Sequence, residues 1–312
     1  MISIVRFLLL FCLIFTGTAA IATAQTLSPH SESLIEAVRD KVIEWRRDIH
    51  QHPELGNREF RTAEMVASHL KSLGIEVQTE VAYTGVVGVL VGGKPGPVVA
   101  LRADMDALPV TERVDIPFAS RQVAMYNGQE VGVMHACGHD THVAMLMGVA
   151  EVFAAMRDEI PGTVKFIFQP AEEGPPEGED GGAELMVQQG VLKNPDVDVI
   201  FGFHINSALE VNHIAYVSGG TMASADDFRI VVRGAQTHGA YPWNGADPIV
   251  ASAQIITALQ TIVSRRVKLT DNPAVVTIGM IRGGIRSNII PEQVELLGTM
   301  RALHPQDRLD IM

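Results

Sequence analysis

Cysteine is nearly absent: 312 residues carry two, Cys12 and Cys137. Cys12 falls in an N-terminal stretch that reads as an export signal, so Cys137 stands alone in the mature chain and an intramolecular disulfide is excluded. Basic residues are in deficit, with 24 Lys and Arg against 36 acids. The formal net charge of −12 argues against nucleic acid or an anionic membrane surface as a partner. After the N-terminus no apolar run is long enough to cross a bilayer, and neither internal repeats nor low-complexity segments occur.

What is present begins with the export signal over residues 1–24. Arg6 supplies a weak positive region, Phe7 to Phe15 an apolar one, and Ala22-Thr23-Ala24 a small-residue cleavage site before Gln25. A membrane anchor is the competing reading, but Thr16, Gly17 and Thr18 interrupt the run before the ~20 residues a span takes. The mature protein is expected to be secreted or periplasmic. Its length, about 288 residues, suits two domains, and 47% apolar with 19% charged residues is ordinary for a globular chain.

Apolar spacing predicts a helix from about Ser31 to His50, capped by Ser31 or Ser33, and a second from Arg58 to Leu73 that stops at Gly74. Strands follow at Ile75–Val81, Val86–Val91 and Val98–Arg102, then a helix from about Asp140 to Met156. Strand Val164–Phe168, a helix near Ala183–Gln189 and strand Val197–His204 complete an α/β pattern, a sheet covered on both faces. After Ser218-Gly219-Gly220 the order becomes β-α-β-β-α: Asp227–Arg233, Pro248–Arg266, Val275–Arg282, Gln293–Arg301 and a helix starting at Pro305. These are five of the six elements of a ferredoxin-like α+β unit, the last strand being absent, so a truncated chain is expected.

Three places concentrate metal-ligand atoms, each near the end of an expected strand or the start of a helix. His135-Ala136-Cys137-Gly138-His139-Asp140-Thr141-His142 holds a thiol, three imidazoles and a carboxylate. Cys137 and His139, two apart, can face one metal; a Cys-His nucleophilic pair or a plain structural loop are the other readings. Glu172 and Glu173 follow a β-rich strand, so one can bind metal while the other takes a proton from water that the cation acidifies. Their alternative is an acidic surface loop with Glu177, Glu179 and Asp180. His204 ends an apolar strand as either a ligand or a core histidine. Asp104 and Asp106 can ligate, orient ligating histidines or form a turn before Pro109; orientation is favoured for Asp106. Together these motifs suggest a metal-dependent hydrolase.

Their combination resembles the metal-dependent amidohydrolases that include hippurate hydrolase, bacterial N-acyl-amino-acid amidohydrolases and plant auxin-conjugate hydrolases. The matching stretches are Arg47–Leu55, Asp104–Pro109, His135–His142, Gln169–Glu173, Gly202–His204, Thr237–Gly239 and Ser287–Pro291, in that order. The resemblance implies a metallopeptidase-like catalytic domain over 30–217, its central mixed sheet flanked by helices, and an inserted lid over 218–312 that often dimerises. It implies two divalent ions per subunit, manganese or zinc, with Cys137, His139, Glu173 and His204 as ligands and Glu172 as general acid/base. His238 would hold the oxyanion or the substrate carboxylate, reaching a partner subunit's site, and Asn288 would be a lid contact to substrate. Arg47, His50 and His52 read as structural.

The substrate so implied is a small N-acyl amino acid, and the assembly a homodimer through the lid. Such families place a further histidine ligand in a later segment, which this chain is expected to lack; His304 lies in the lid and is no substitute. The alternatives are an impaired relative that binds metal or peptide without turnover, and a metal-dependent dipeptidase.

Overall fold

The computed structural model describes residues 27–268 and 273–312. The expected export signal lies outside the described residues. Among those described, no helix is long and apolar enough to cross a membrane. The chain divides into two compact units, the first reaching Ser207 and the second spanning Ala208–Met312.

In the first unit, helix α1 spans Pro29–Gln51. Its cap is Ser28 rather than Ser31 or Ser33: the Ser28 hydroxyl accepts from the Ser31 amide at 3.1 Å. Pro29 then fits the first turn, where no amide donor is required. Helix α2, Phe60–Ser72, starts two residues later than expected because its exposed amides are satisfied from upstream. The Glu54 carboxylate accepts from the amides of Arg61 and Thr62, each at 2.9 Å. At its other end Gly74 takes φ +69°, and the amides of Gly74 and Ile75 close back on the carbonyls of Lys71 and Leu70.

The sheet comprises β1 (Glu76–Val81), β2 (Gly85–Val91), β3 (Lys94–Asp104), β6 (Pro161–Gln169) and β7 (Val199–Gly202), ordered β1-β2-β6-β3-β7. Strand β6 pairs antiparallel with β2 and parallel with β3, and β3 pairs parallel with β7, so the sheet is mixed. Between them lie the hairpin β4 (Val123–Tyr126) and β5 (Gln129–Gly132), turned by Asn127-Gly128 with both φ positive, and helix α3 (His139–Ala155). A short helix α4 (Gly182–Gln188) precedes β7. Phe166 and Phe168 of β6 pack with Met147 of α3, Leu70 of α2 and Ile49 of α1, all wholly or almost wholly buried. Each such side chain contributes roughly 1.5–3 kcal/mol. That core fixes the α3 N-terminus beside the strand ends.

Parallel pairing brings three strand ends to one edge: Asp104 lies opposite Gln169, and Arg102 opposite Gly202. His204 sits two residues beyond β7 on an exposed loop, and is neither the last strand residue nor a core histidine.

In the second unit, β8 (Asp226–Arg233), β9 (Thr237–His238), α5 (Pro248–Thr261), β10 (Ala274–Gly283), β11 (Ile289–Ile290), β12 (Gln293–Ala302) and α6 (Pro305–Ile311) follow in order. Helix α5 stops before Arg266, and a wider π-helical turn runs over Ile262–Arg266. Strand β12 lies between β10 and β8, antiparallel to both, as in a split βαβ unit.

Candidate metal centre

Asp104 ends β3 and Asp106 follows two residues on, both buried, and the Met105 amide bonds the Gln169 carbonyl at 2.9 Å, carrying the chain past the end of β6. Opposite them, Gly138 at φ +85° starts α3 and turns the His139 ring inward, where it has no solvent exposure. His139 Nδ1 lies 3.2 Å from Asp106 Oδ1, while Asp106 Oδ2 accepts from the Glu173 amide at 2.9 Å. One buried carboxylate thus orients both a candidate ligand ring and a candidate ligand loop.

With Nδ1 committed to Asp106, the neutral His139 ring keeps its lone pair on Nε2, and that buried atom has no hydrogen-bond partner. Around it stand Asp104 Oδ1 at 3.7 Å, Glu172 Oε2 at 3.8 Å and Glu173 Oε1 at 4.0 Å. These distances are too long for hydrogen bonds. They are close to the spacing of donors around one cation, since two atoms at ~2.0–2.3 Å from a tetrahedral ion stand about 3.3–3.7 Å apart. Cys137 Sγ and His204 Nε2 meet that spacing at 3.4 Å, and His204 Nδ1 is committed to the Ile205 carbonyl at 2.7 Å. Cys137, His139 and His204 form one mutually close donor set, and His139, Glu172 and Glu173 another. The four residues expected as ligands, and the expected base, are therefore brought together.

His142 was counted in the donor-rich motif but given no role of its own, although it lies one turn beyond His139 on the same helix face. It joins Asp104 and His139 in a third donor set. Both of its ring nitrogens are engaged, however: Nδ1 donates to Asp104 Oδ1 at 2.6 Å, and Nε2 accepts from the Ile205 amide at 2.9 Å. The ring ties the loop after His204 to α3, leaving no lone pair for a metal.

Four carboxylates crowd the site, and Arg102, bonded to Asp104 and Gln169, is the cation that pairs with one of them. Burial raises the Asp104 pKa, but the His142 hydrogen bond and the Arg102 charge bring it down to about 2. Burial and the Asp104 charge push the Glu172 carboxyl above its ordinary value. Burial, then Glu173 and the other carboxylates, push the Cys137 thiol up to about 12. A divalent cation reverses that balance, because a coordinated thiol loses its proton outright. The unpartnered Nε2, the donor spacing and the excess negative charge all fit a bound cation.

Behind the site, His50 bonds Asp140 at 2.9 Å and Glu112 at 3.2 Å, and Arg46 reaches Asp140 at 2.8 Å. The network pins α1 to the first turn of α3, a structural place for His50. His52 bonds the Asp48 carbonyl within α1 at 2.8 Å.

In the second unit, His238 of β9 pairs with Ile289, next to Asn288, and the Gly239 amide donates to the Asn288 carbonyl at 2.8 Å. His238 Nδ1 accepts from the Ala240 amide at 3.0 Å, which leaves Nε2 to carry the proton of the neutral ring. The two expected substrate contacts are thus neighbours, both exposed.

Against known proteins, the chain is 45% identical over 270 residues to thermostable carboxypeptidase 2 of Saccharolobus solfataricus, covering 86% of this chain and 65% of that one. It is 44% identical over 268 residues to an N-acyl-L-amino acid amidohydrolase of Geobacillus stearothermophilus, covering 86% and 68%. The solved structure of a Bacillus subtilis protein described as a dinuclear metal binding peptidase from the M20 family matches with a TM-score of 0.71 at 38% identity, over 88% of this chain and 67% of that one. The chain spans only part of the length of these relatives. Residues 100–307 match the model of peptidase family M20/M25/M40, and the chain belongs to that family.

Proposed function

We propose that this protein hydrolyses the amide bond of small N-acyl amino acids, hippurate-like or related conjugates, with divalent cations held by Cys137, His139, Glu173 and His204. One observation carries the reading: the buried, unpartnered Nε2 of His139 faces Glu172 and Glu173. The amidohydrolase name of the Geobacillus relative supports the substrate class, and the dinuclear Bacillus neighbour supports a pair of ions. Bound, the cations supply Lewis acidity that polarises the amide carbonyl and makes water easier to deprotonate.

The residues do the rest. Glu172, beside the ligand cluster with its pKa raised, accepts a proton from the attacking water and delivers it to the leaving amine nitrogen. Asp106 keeps the His139 ring and the Glu173 backbone in place. We further propose that His238, through its Nε2 proton, reaches a partner subunit's site to hold the oxyanion or the substrate carboxylate, that Asn288 contacts substrate, and that the second unit forms the dimer contact. Export to a secreted or periplasmic location completes the reading.

The test is release of free amino acid from an N-acyl amino acid panel, with manganese or zinc added or withheld. Glu172→Gln is expected to keep bound metal and lose turnover by about 10²–10⁴-fold. Undiminished turnover by that variant removes Glu172 from the role. The carboxypeptidase name of the Saccharolobus relative favours a second reading, a peptide substrate, so dipeptides belong in the same panel. Turnover of dipeptides alone assigns the site to a dipeptidase.

A further inference from the structure

The loop between β6 and α4, residues 170–181, carries Glu172 and Glu173 yet has little structure of its own. Within it, Ala171 takes φ +47° and Gly174 φ +108°, and its internal backbone bonds are Gly174 to Ala171 at 3.4 Å and Glu179 to Pro176 at 3.0 Å. Its shape is imposed from outside: Asp106 holds the Glu173 amide, and four residues just before α2 hold the loop on either side of that point.

Glu59 is wholly buried. Its Oε1 accepts from the Ala171 amide at 2.8 Å, and its Oε2 accepts from the Thr84 hydroxyl at 2.5 Å. Asn57 Nδ2 donates to Glu179 Oε2 at 3.1 Å and to the Asp180 carbonyl at 3.0 Å. Arg58 grips Glu179 with both terminal nitrogens, at 3.1 and 2.5 Å. Gly56 lies flat under the loop, where a Cβ would stand 2.8 Å from the Gly174 carbonyl oxygen. One short segment therefore touches the loop at its beginning, middle and end.

Burying a carboxylate that has no cation within bonding distance is costly, and packing alone is better served by an apolar side chain. What a carboxylate adds here is an acceptor for the amide of Ala171, the residue directly before Glu172. We propose that Glu59 is a positioning residue: by holding the Ala171 amide while Asn57 and Arg58 hold Glu179 and Asp180, it fixes the direction in which Glu172 and Glu173 project. This rests on the hydrolase reading only for its catalytic consequence; the hold on the loop stands independently.

The test compares Glu59→Ala, Glu59→Gln and Arg58→Ala in the full chain, by hydrogen exchange of the loop amides in metal-free and manganese-loaded protein, and by kcat, KM and metal content on whichever substrate the panel identifies. Glu59→Ala is expected to speed exchange over residues 171–182 at least tenfold while leaving that of α3 unchanged. It is expected to lower kcat about 10–100-fold with KM within threefold and metal content at saturation retained. Glu59→Gln, whose amide oxygen accepts the same bond, is expected to restore both within threefold. Arg58 is exposed, so its alanine variant remains folded even if Glu59→Ala does not, and it is expected to speed exchange over residues 177–182. Unchanged loop exchange in Glu59→Ala, or in Arg58→Ala should Glu59→Ala not fold, overturns the proposal, as does a Gln variant as impaired as the Ala one. If the wild type hydrolyses nothing, exchange alone decides the positioning role and the hydrolase reading falls separately.

Discussion

A thiol surrounded by carboxylates is a poor thiolate unless a cation arrives. Cys137 has its pKa pushed up to about 12 by burial and by Glu173, so metal uptake has to drive its proton off. Loading with cobalt(II) is expected to give a thiolate-to-cobalt absorption band in the wild type that Cys137→Ser lacks; an identical spectrum in both removes the sulfur from the ligand set. Glu59 poses the converse problem. Burial raises its pKa to about 7, opposed by the Thr84 and Ala171 hydrogen bonds, with Asp106 adding to the rise and Arg58 nearby. Because the folded value lies above the unfolded one near 4.5, the stability it contributes is complete below about pH 4.5 and is lost as pH rises through about 7, roughly 3 kcal/mol in all. Urea unfolding from pH 5 to 8 is expected to show wild type losing stability relative to Glu59→Gln; parallel curves contradict the shift. Cys137, His139, Glu172 and Glu173 stood out in the sequence because donor atoms crowd into short motifs, whereas His204 stood alone and only the resemblance pointed to it as a ligand. Glu59 was not, since its partner Ala171 lies 112 positions away and only the folded sheet brings them together.

Elements were legible where their signals are local. Periodicity located α1, α2 and α3, and β-branched runs located the sheet strands, because both depend on neighbours within a few residues. The ends were less so. Ser28-Pro29 displaced the expected cap of α1, and Glu54 moved the start of α2 by supplying acceptors from outside the helix. Glu54→Ala is expected to lower the unfolding free energy by about 0.5–2 kcal/mol with metal content unchanged, and an unaltered unfolding midpoint contradicts this capping role. The β4–β5 hairpin was missed although Asn127-Gly128 is a strong two-residue turn signal. The pairing order β1-β2-β6-β3-β7 was not readable either, because nothing local tells β6 to take β2 on one side and β3 on the other.

For the molecule as a whole, that pairing order decides the chemistry. Parallel alignment of β3, β6 and β7 places Asp104, the Glu172-Glu173 loop and the His204 loop on one edge, and the turn into α3 delivers Cys137 and His139 to the same place. Negative charge gathers there in a chain already at −12, which a divalent cation relieves. The central claim is that these side chains share metal, and anomalous diffraction from crystals grown with zinc or manganese tests it most directly. The account expects a peak within about 2.0–2.3 Å of both Cys137 Sγ and His204 Nε2, with His139 Nε2 facing the same density. Anomalous density only elsewhere on the molecule, with His139 Nε2 still unpartnered, would contradict it.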